Sequence, residues 1–293
     1  MTRVAEAIAY GAATVVNAIS TGKGAALGVD LWTKARVELN GRVGGISASI
    51  IGEPDESTCL IATTARKILQ RYGAHKTFGA CVETRSNIPI ARGMKSSSVA
   101  ANAVALAMTA ALKKRVQDER VLEDSVKSAI EARVTITGAF DDASASYYGG
   151  LVVTDNKRRK ILKKQRIREE YRVLFHVPSE RSYTARVDLT KFRKLVHVST
   201  LAHRLALTGH FWEALIINGL AHSIALGWEP NIAIEAMNAG AIASGLSGKG
   251  PATVAIVRRH KFSNVRSALS QFEGDIIEAK VNNRKAKVFA THI

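Results

Sequence analysis

The chain has 293 residues, 46% hydrophobic and 6% aromatic, which excludes a disordered protein and at this length predicts a sizeable core divided between two domains. Lys and Arg number 42 against 25 Asp and Glu, and the net charge of +17 directs the surface toward anions: nucleotides, phosphorylated or carboxylate metabolites, or RNA. Two cysteines, Cys59 and Cys81, exclude a disulfide framework and a zinc cluster, and both are expected as buried thiols. The apolar stretch after Arg3 is interrupted by Glu6 and Asn17 and lacks a cleavage site. The run from Trp212 to Trp228 carries Glu213, Asn218 and His222 at roughly helical intervals, which predicts a wet or functional face and a segment too polar to cross a bilayer. A soluble cytoplasmic protein is the expectation.

In chain order, residues 4–50 alternate in short Gly-, Ala- and Val-rich runs and predict strands joined by glycine turns. Asp55 to Tyr72 follows Pro54 with a helical pattern that Gly73 stops, and Phe78 to Glu83 reads as a strand. A helix starts at the serines 96–98 and runs to about Lys114, and a second from Val121 carries Val126, Ile130 and Val134 on one face. Near Leu151 the texture turns β-rich, with the densest charge run, Lys157 to Arg168, followed by Tyr171 to Val177. Two helical patterns fill Asp188 to about Gly227. A helix after Pro230, a glycine turn at Gly245 to Gly250, a strand at Thr253 to Val257, a helix near Val265 to Phe272 and a last strand complete the chain. Strands layered with helices in each half predict an α+β protein of two domains, 1–152 and 153–293.

Three segments carry chemistry. The stretch Pro89 to Ala103, PIARGMKSSSVAANA, places a glycine turn and three hydroxyls before an alanine-rich helix, where unpaired N–H groups and the positive dipole end hold phosphate. Serine capping alone would need fewer hydroxyls. Thr137 to Gly150, TGAFDDASASYYGG, sets Asp141 and Asp142 in a glycine-bounded turn, where a carboxylate can accept a hydroxyl proton or cap a short helix. Gly245 to Pro251, GLSGKGP, is glycine-dense enough for close approach to a ligand. The Walker pattern, the G-x-S-x-G elbow and HExxH are all absent, and His203, His210 and His222 read as core or surface residues. The basic run lacks interleaved aromatics, so a solvated strand or hairpin face is preferred over an RNA-binding surface.

In this order, the three segments resemble the GHMP kinase superfamily, whose second motif is matched by Pro89, Gly93, Met94, Ser96 and Ser97 and whose third is matched by Ser247 to Pro251. One departure refines the resemblance: Lys95 stands where the second loop glycine is usual. The Gly-Met-Lys-Ser-Ser-Ser form, with GAATVVNAISTGKGAALGVDL from Gly11 to Leu31 and the TGAFDD segment, is similar to the archaeal-type shikimate kinase branch. Homoserine kinases, the nearest alternative, generally keep the glycine.

The resemblance implies the two-domain GHMP fold, with ATP and Mg²⁺ as cofactors and shikimate as the small-molecule acceptor. It implies no specific nucleic acid and no membrane, and is compatible with a homodimer. It implies that Pro89, Ile90, Ala91, Arg92, Gly93, Met94, Lys95, Ser96, Ser97, Ser98 and Val99 wrap the nucleotide phosphates, with Gly248 and Gly250 in support. Ser97 and Glu131 would hold Mg²⁺. The aspartate facing the acceptor would be Asp142, narrowly preferred, or Asp141, about three helical turns beyond Glu131. The acceptor carboxylate needs a cation; Lys23, Arg133 and Arg204 are the candidates, with Lys23, in the block that resembles that branch, first.

Overall fold

The computed structural model describes residues 3–179 and 189–292. Two long strands, β1 (Arg3–Val16) and β2 (Lys23–Asn40), pair antiparallel and frame the first sheet. In the second half of β2, Leu31, Thr33, Ala35, Val37 and Leu39 are buried while their neighbours are not, the period-two pattern of a strand with one wet face. The length of β2 gives it two partners on one edge: Thr33–Asn40 pairs with β4 (Gly79–Ser86) and Lys23–Leu27 pairs with β5 (Leu151–Asp155). β3 (Ile46–Ile50) lies parallel to β4 across the helix α1 (Cys59–Arg71), and β6 (Lys160–Gln165) extends β5 as a hairpin.

Over this sheet lie α2 (Ser96–Ala111), α3 (Asp118–Glu131) and α4 (Phe140–Tyr148). α2 is buried nearly all round, as a helix without a polar stripe must be, and its small side chains let β1 and β2 approach closely. The second sheet runs β10 (Asp275–Lys280), β7 (Tyr171–Val177), β9 (Thr253–Arg258), β8 (Ala243–Leu246), all antiparallel. It is covered on both faces. Val173, Phe175, Val254 and Ile256 join the main core, while Leu174, Ala255 and Val257 meet α8 (Asn231–Asn238) and α9 (Phe262–Leu269) in a smaller one. The short α5 (Leu189–Arg193) leads into α6 (Val196–Thr208) and α7 (Phe211–Leu226), which pack against each other.

Several expectations change. The division at 152/153 cuts through β5, and the first sheet continues to Gln165 and takes back the chain's last strand, β11 (Lys287–His292), beside β1. Two strands, β10 and β11, stand where one was expected. Cys59 is exposed at the start of α1 and Cys81 is half-buried, so neither is a core thiol. Of the three polar positions of α7, Glu213 is exposed while Asn218 and His222 are buried and Ile224 is 69% exposed, so they do not form one wet face. Among the described residues no helix is long and apolar enough to cross a membrane. The basic run forms the exposed hairpin turn and β6, and Asp188 lies outside the described residues.

Candidate active site

The loop after β4 winds through alternating hands: Ala91, Gly93 and Lys95 have φ of 57°, 81° and 66°, whereas Arg92 and Met94 do not have positive φ. Such alternation turns successive N–H groups toward one side and makes a concavity for an anion. Ala91 and Lys95 hold this conformation without being glycine, at about 1–2 kcal/mol each, strain that survives only where the surroundings fix it. Buried Met94 and Val99 anchor the loop on either side of the serines. Ser96 opens α2, so the first-turn N–H groups of 96–98 lack intrahelical partners and face the same concavity as the dipole.

The glycine-rich turn closes on this loop. Its first two residues, Gly245 and Leu246, belong to β8, leaving Ser247–Gly250 as the turn itself. Ser247 Oγ donates to the Gly93 carbonyl at 3.0 Å, and the Ala252 N–H donates to the Arg92 carbonyl at 3.2 Å. A Cβ on Gly93 would lie 2.8 Å from the Ser247 carbonyl, so only glycine permits this contact. Asn17, at the end of β1, ties in a third segment: its Nδ2 donates to the Gly248 carbonyl at 2.7 Å and its N–H to Asn218 Oδ1 at 3.0 Å.

Between these segments lies a cavity of about 360 Å³. Its wall includes Ile90, Ala91, residues 93–98, Gly248, Asp141 and Asp142, so the structure brings most of the expected site together. Pro89, Arg92, Val99 and Gly250 are off the wall and support it; Arg92 Nη1, for example, donates to the Pro178 carbonyl. Thr137 to Gly150 is not a turn throughout but contains α4, with both aspartates in its first turn.

These adjacent carboxyls have different surroundings. Asp141 Oδ1 accepts from Asn156 Nδ2 at 2.8 Å while the Asp141 N–H donates to Asn156 Oδ1 at 3.2 Å, and Thr154 Oγ1 donates to that same Oδ1 at 2.7 Å. Burial raises the Asp141 pKa, opposed first by the Asn156 hydrogen bond. Asp142 Oδ2 pairs with Lys95 Nζ at 3.2 Å, and among the described residues its buried Oδ1 has no hydrogen-bond partner. Burial pushes Asp142 up to about 7, with Lys95 opposing and the negative charge of Asp141 adding to the rise. One carboxyl is tied into the fold; the other lies on the cavity wall with one oxygen unpaired among the described residues.

Three expected residues lie elsewhere. Glu131 is exposed at the end of α3 and pairs with Lys67 at 2.6 Å, because residues 132–139 break the helix between it and α4. Lys23 and Arg204 are exposed and off the cavity wall. The cations on the wall are Lys95, Lys249 and Arg133. Asn17 and Lys249 lay inside quoted motifs without a role, and nothing in the sequence singled out Asn156.

The family model for the GHMP kinases N terminal domain matches residues 60–150. A shikimate kinase of Methanosarcina acetivorans is 38% identical over 291 residues, covering 99% of this chain and 98% of the relative. One from Pyrococcus abyssi is 41% identical over 271 residues, covering 92% and 96%. Among solved structures, a homoserine kinase of Cytophaga hutchinsonii superimposes with a TM-score of 0.75 at 16% identity, covering 98% and 97% of the two chains. A mevalonate kinase of L. major, in complex with R-mevalonate, gives 0.73 at 16%, covering 95% and 96%. With two near full-length relatives at this identity, the chain belongs to the GHMP kinases, in the family of these archaeal shikimate kinases.

Proposed function

We propose that the protein transfers the γ-phosphoryl group of ATP to the 3-hydroxyl of shikimate, giving 3-phosphoshikimate and ADP, a step toward chorismate and the aromatic amino acids. The observation that carries this reading is Asp142 on the cavity wall with Lys95 and the start of α2, paired through Oδ2 to Lys95 while its buried Oδ1 has no partner among the described residues. The left-handed loop 91–95 and the first turn of α2 bind the phosphates through backbone N–H groups. Asp142 orients the acceptor hydroxyl and accepts its proton, a task suited to a carboxyl whose pKa is raised to about 7. Lys95 holds Asp142 Oδ2 and leaves Oδ1 for the substrate. Asp141, secured by Asn156, fixes the start of α4.

An Mg²⁺ ion fits the donors present, which are oxygens: the Ser97 hydroxyl lines the same cavity as the Asp142 carboxyl. Among the described residues no three His, Cys, Asp or Glu side chains cluster as a metal site, as suits an ion held chiefly by phosphate oxygens and water. Ser97 would hold it, and when bound it supplies neutralisation of the phosphate charge. Arg133, on the wall with a left-handed backbone, is the guanidinium offered to the acceptor carboxylate in place of Lys23 and Arg204. A coupled ADP-release assay with shikimate, homoserine and mevalonate tests the proposal: stimulation by shikimate alone is expected, and stimulation by homoserine alone would refute the substrate.

A further inference from the structure

Asn156 stands just past β5, buried and off the cavity wall, and several parts of the chain meet on it. Its Nδ2 donates to Asp141 Oδ1 at 2.8 Å, and its Oδ1 accepts the Asp141 N–H at 3.2 Å and Thr154 Oγ1 at 2.7 Å. Its own N–H donates to the Gly22 carbonyl, in the turn between β1 and β2, at 2.8 Å. From the second half of the chain, His203 Nε2 on α6 donates to the Thr154 carbonyl at 3.2 Å, so the residue that supports Asn156 is itself held by a buried side chain.

α4 needs such an anchor. It is nine residues long, follows the left-handed residues Gly138 and Ala139, and has at its N-cap an alanine with no side chain to cap it. The bond from the Asp141 N–H to Asn156 Oδ1 is the one that an N-cap side chain normally accepts, here supplied from outside the helix. Residue 141 is thus gripped by backbone and side chain together, and Asp142, about 100° further round the helix, is aimed by that grip. The bond to Gly22 ties in the turn whose Ala18 and Ile19 line the cavity with Asp142. Space is tight here: a Cβ on Gly24 would collide with Asp141 Oδ2 and lie 3.0 Å from Ala18 Cβ. A buried amide that uses both its ends in this way specifies one arrangement more than it adds stability.

We propose that Asn156 is a positioning residue for phosphoryl transfer: it caps α4 from across the fold, locks Asp141 and the β1–β2 turn to each other, and so aims Asp142 at the acceptor hydroxyl. This rests on the kinase reading. Asn156 lies behind the cavity wall and acts through residue 141, so its contribution falls on the alignment of the acceptor and leaves the phosphate loop alone.

The test measures ADP release with shikimate for wild type, Asn156→Asp, Asp141→Asn and the double variant, with kcat expressed per site that binds the β,γ-methylene analogue of ATP in calorimetry, which leaves misfolded protein out of the comparison. Asn156→Asp keeps the size and the accepting oxygen but sets a second carboxyl against Asp141. Its kcat should fall about 100-fold, the cost of a misplacement near 1 Å, while affinity for the analogue stays within about threefold of wild type. The double variant Asp141→Asn/Asn156→Asp has the wild-type net charge and lets residue 141 donate to residue 156, so its kcat should return to within about threefold of Asp141→Asn alone, well under the worth of one hydrogen bond to a charged group. Thr154→Val, isosteric and off the wall, removes one bond to Asn156 and should lower kcat about threefold to tenfold; it decides the matter if Asn156→Asp does not fold. An unchanged kcat per site, an equal loss in the single and double variants, or a loss confined to nucleotide affinity would overturn the proposal. A wild type that phosphorylates none of shikimate, homoserine and mevalonate would refute the kinase reading and this inference with it, whereas an active wild type with any of those variant results refutes this inference alone.

Discussion

Replacing Asp142 by Asn separates its chemical role from its cost to the fold. In the folded chain the carboxyl is 6% exposed and its pKa is pushed from 3.8 to about 7. A folded pKa above the unfolded one means that the native state holds its proton more tightly. Stability from this group is therefore full below about pH 4 and is lost as pH rises toward 7. The full displacement corresponds to about 4 kcal/mol at 1.36 kcal/mol per pH unit, an upper bound because the neighbouring carboxyl of Asp141 shares the same buried site. Asp142→Asn, isosteric with the protonated form, should melt higher than wild type at pH 8 and show a flatter dependence of melting temperature on pH between 4 and 7. Turnover should fall by about 10²–10⁴, as for loss of a proton acceptor, with ATP affinity unchanged. Asp141→Asn should be milder in turnover, since its carboxyl is committed to Asn156. Paired thermal melts and ADP-release assays decide the matter: a variant of Asp142 that is both less stable at pH 8 and still active within tenfold would refute the argument, as would a larger loss of turnover at Asp141.

Two further outcomes follow from the cavity wall. Ser97→Ala should raise the Mg²⁺ concentration needed for half-maximal activity several-fold, and an unchanged Mg²⁺ titration would remove this hydroxyl from the metal's surroundings. Arg133→Ala should raise the KM for shikimate by about 10- to 100-fold, the worth of one charged hydrogen-bonding partner, while the KM for ATP stays within twofold; steady-state kinetics in both substrates reads the two effects apart.

How much of this was legible in the sequence depends on the range of the determining contacts. β1, β2 and α2 announce themselves through local periodicity, and the charge run Lys157 to Arg168 reads correctly as an exposed hairpin because alternation along β6 is itself local. α4 does not, because FDDASASYY lacks an apolar stripe; the helix is held by burial of Phe140 and Tyr147 rather than by propensity. The return of β11 to the first sheet is a contact between residues almost a whole chain apart and leaves no local trace. Glu131 lies apart from Asp142 for a definable reason. An 11-residue spacing to Asp142 means three turns only on a continuous helix, and left-handed residues at Arg133, Gly138 and Ala139 interrupt this one. Asp141 and Asp142 sit about 100° apart on α4, so the choice between them rests on the rotation of the helix, which Asn156 from beyond β5 helps to set.

Lys95 is the position where a departure in sequence and a feature of structure explain each other. Its φ of 66° is a glycine conformation, which accounts for the glycine usual in this loop, and a lysine there carries about 1–2 kcal/mol of backbone cost. The ion pair with Asp142, 3.2 Å long and largely removed from water, is what offsets that cost. Lys95→Gly relieves the backbone but removes the charge that holds the Asp142 pKa down. The acid limb of its kcat/KM profile should consequently move above the wild-type value near 7, toward higher pH. A limb that stays in place, or moves to lower pH, would mean that Lys95 serves the nucleotide alone and that the carboxyl is governed by burial and Asp141.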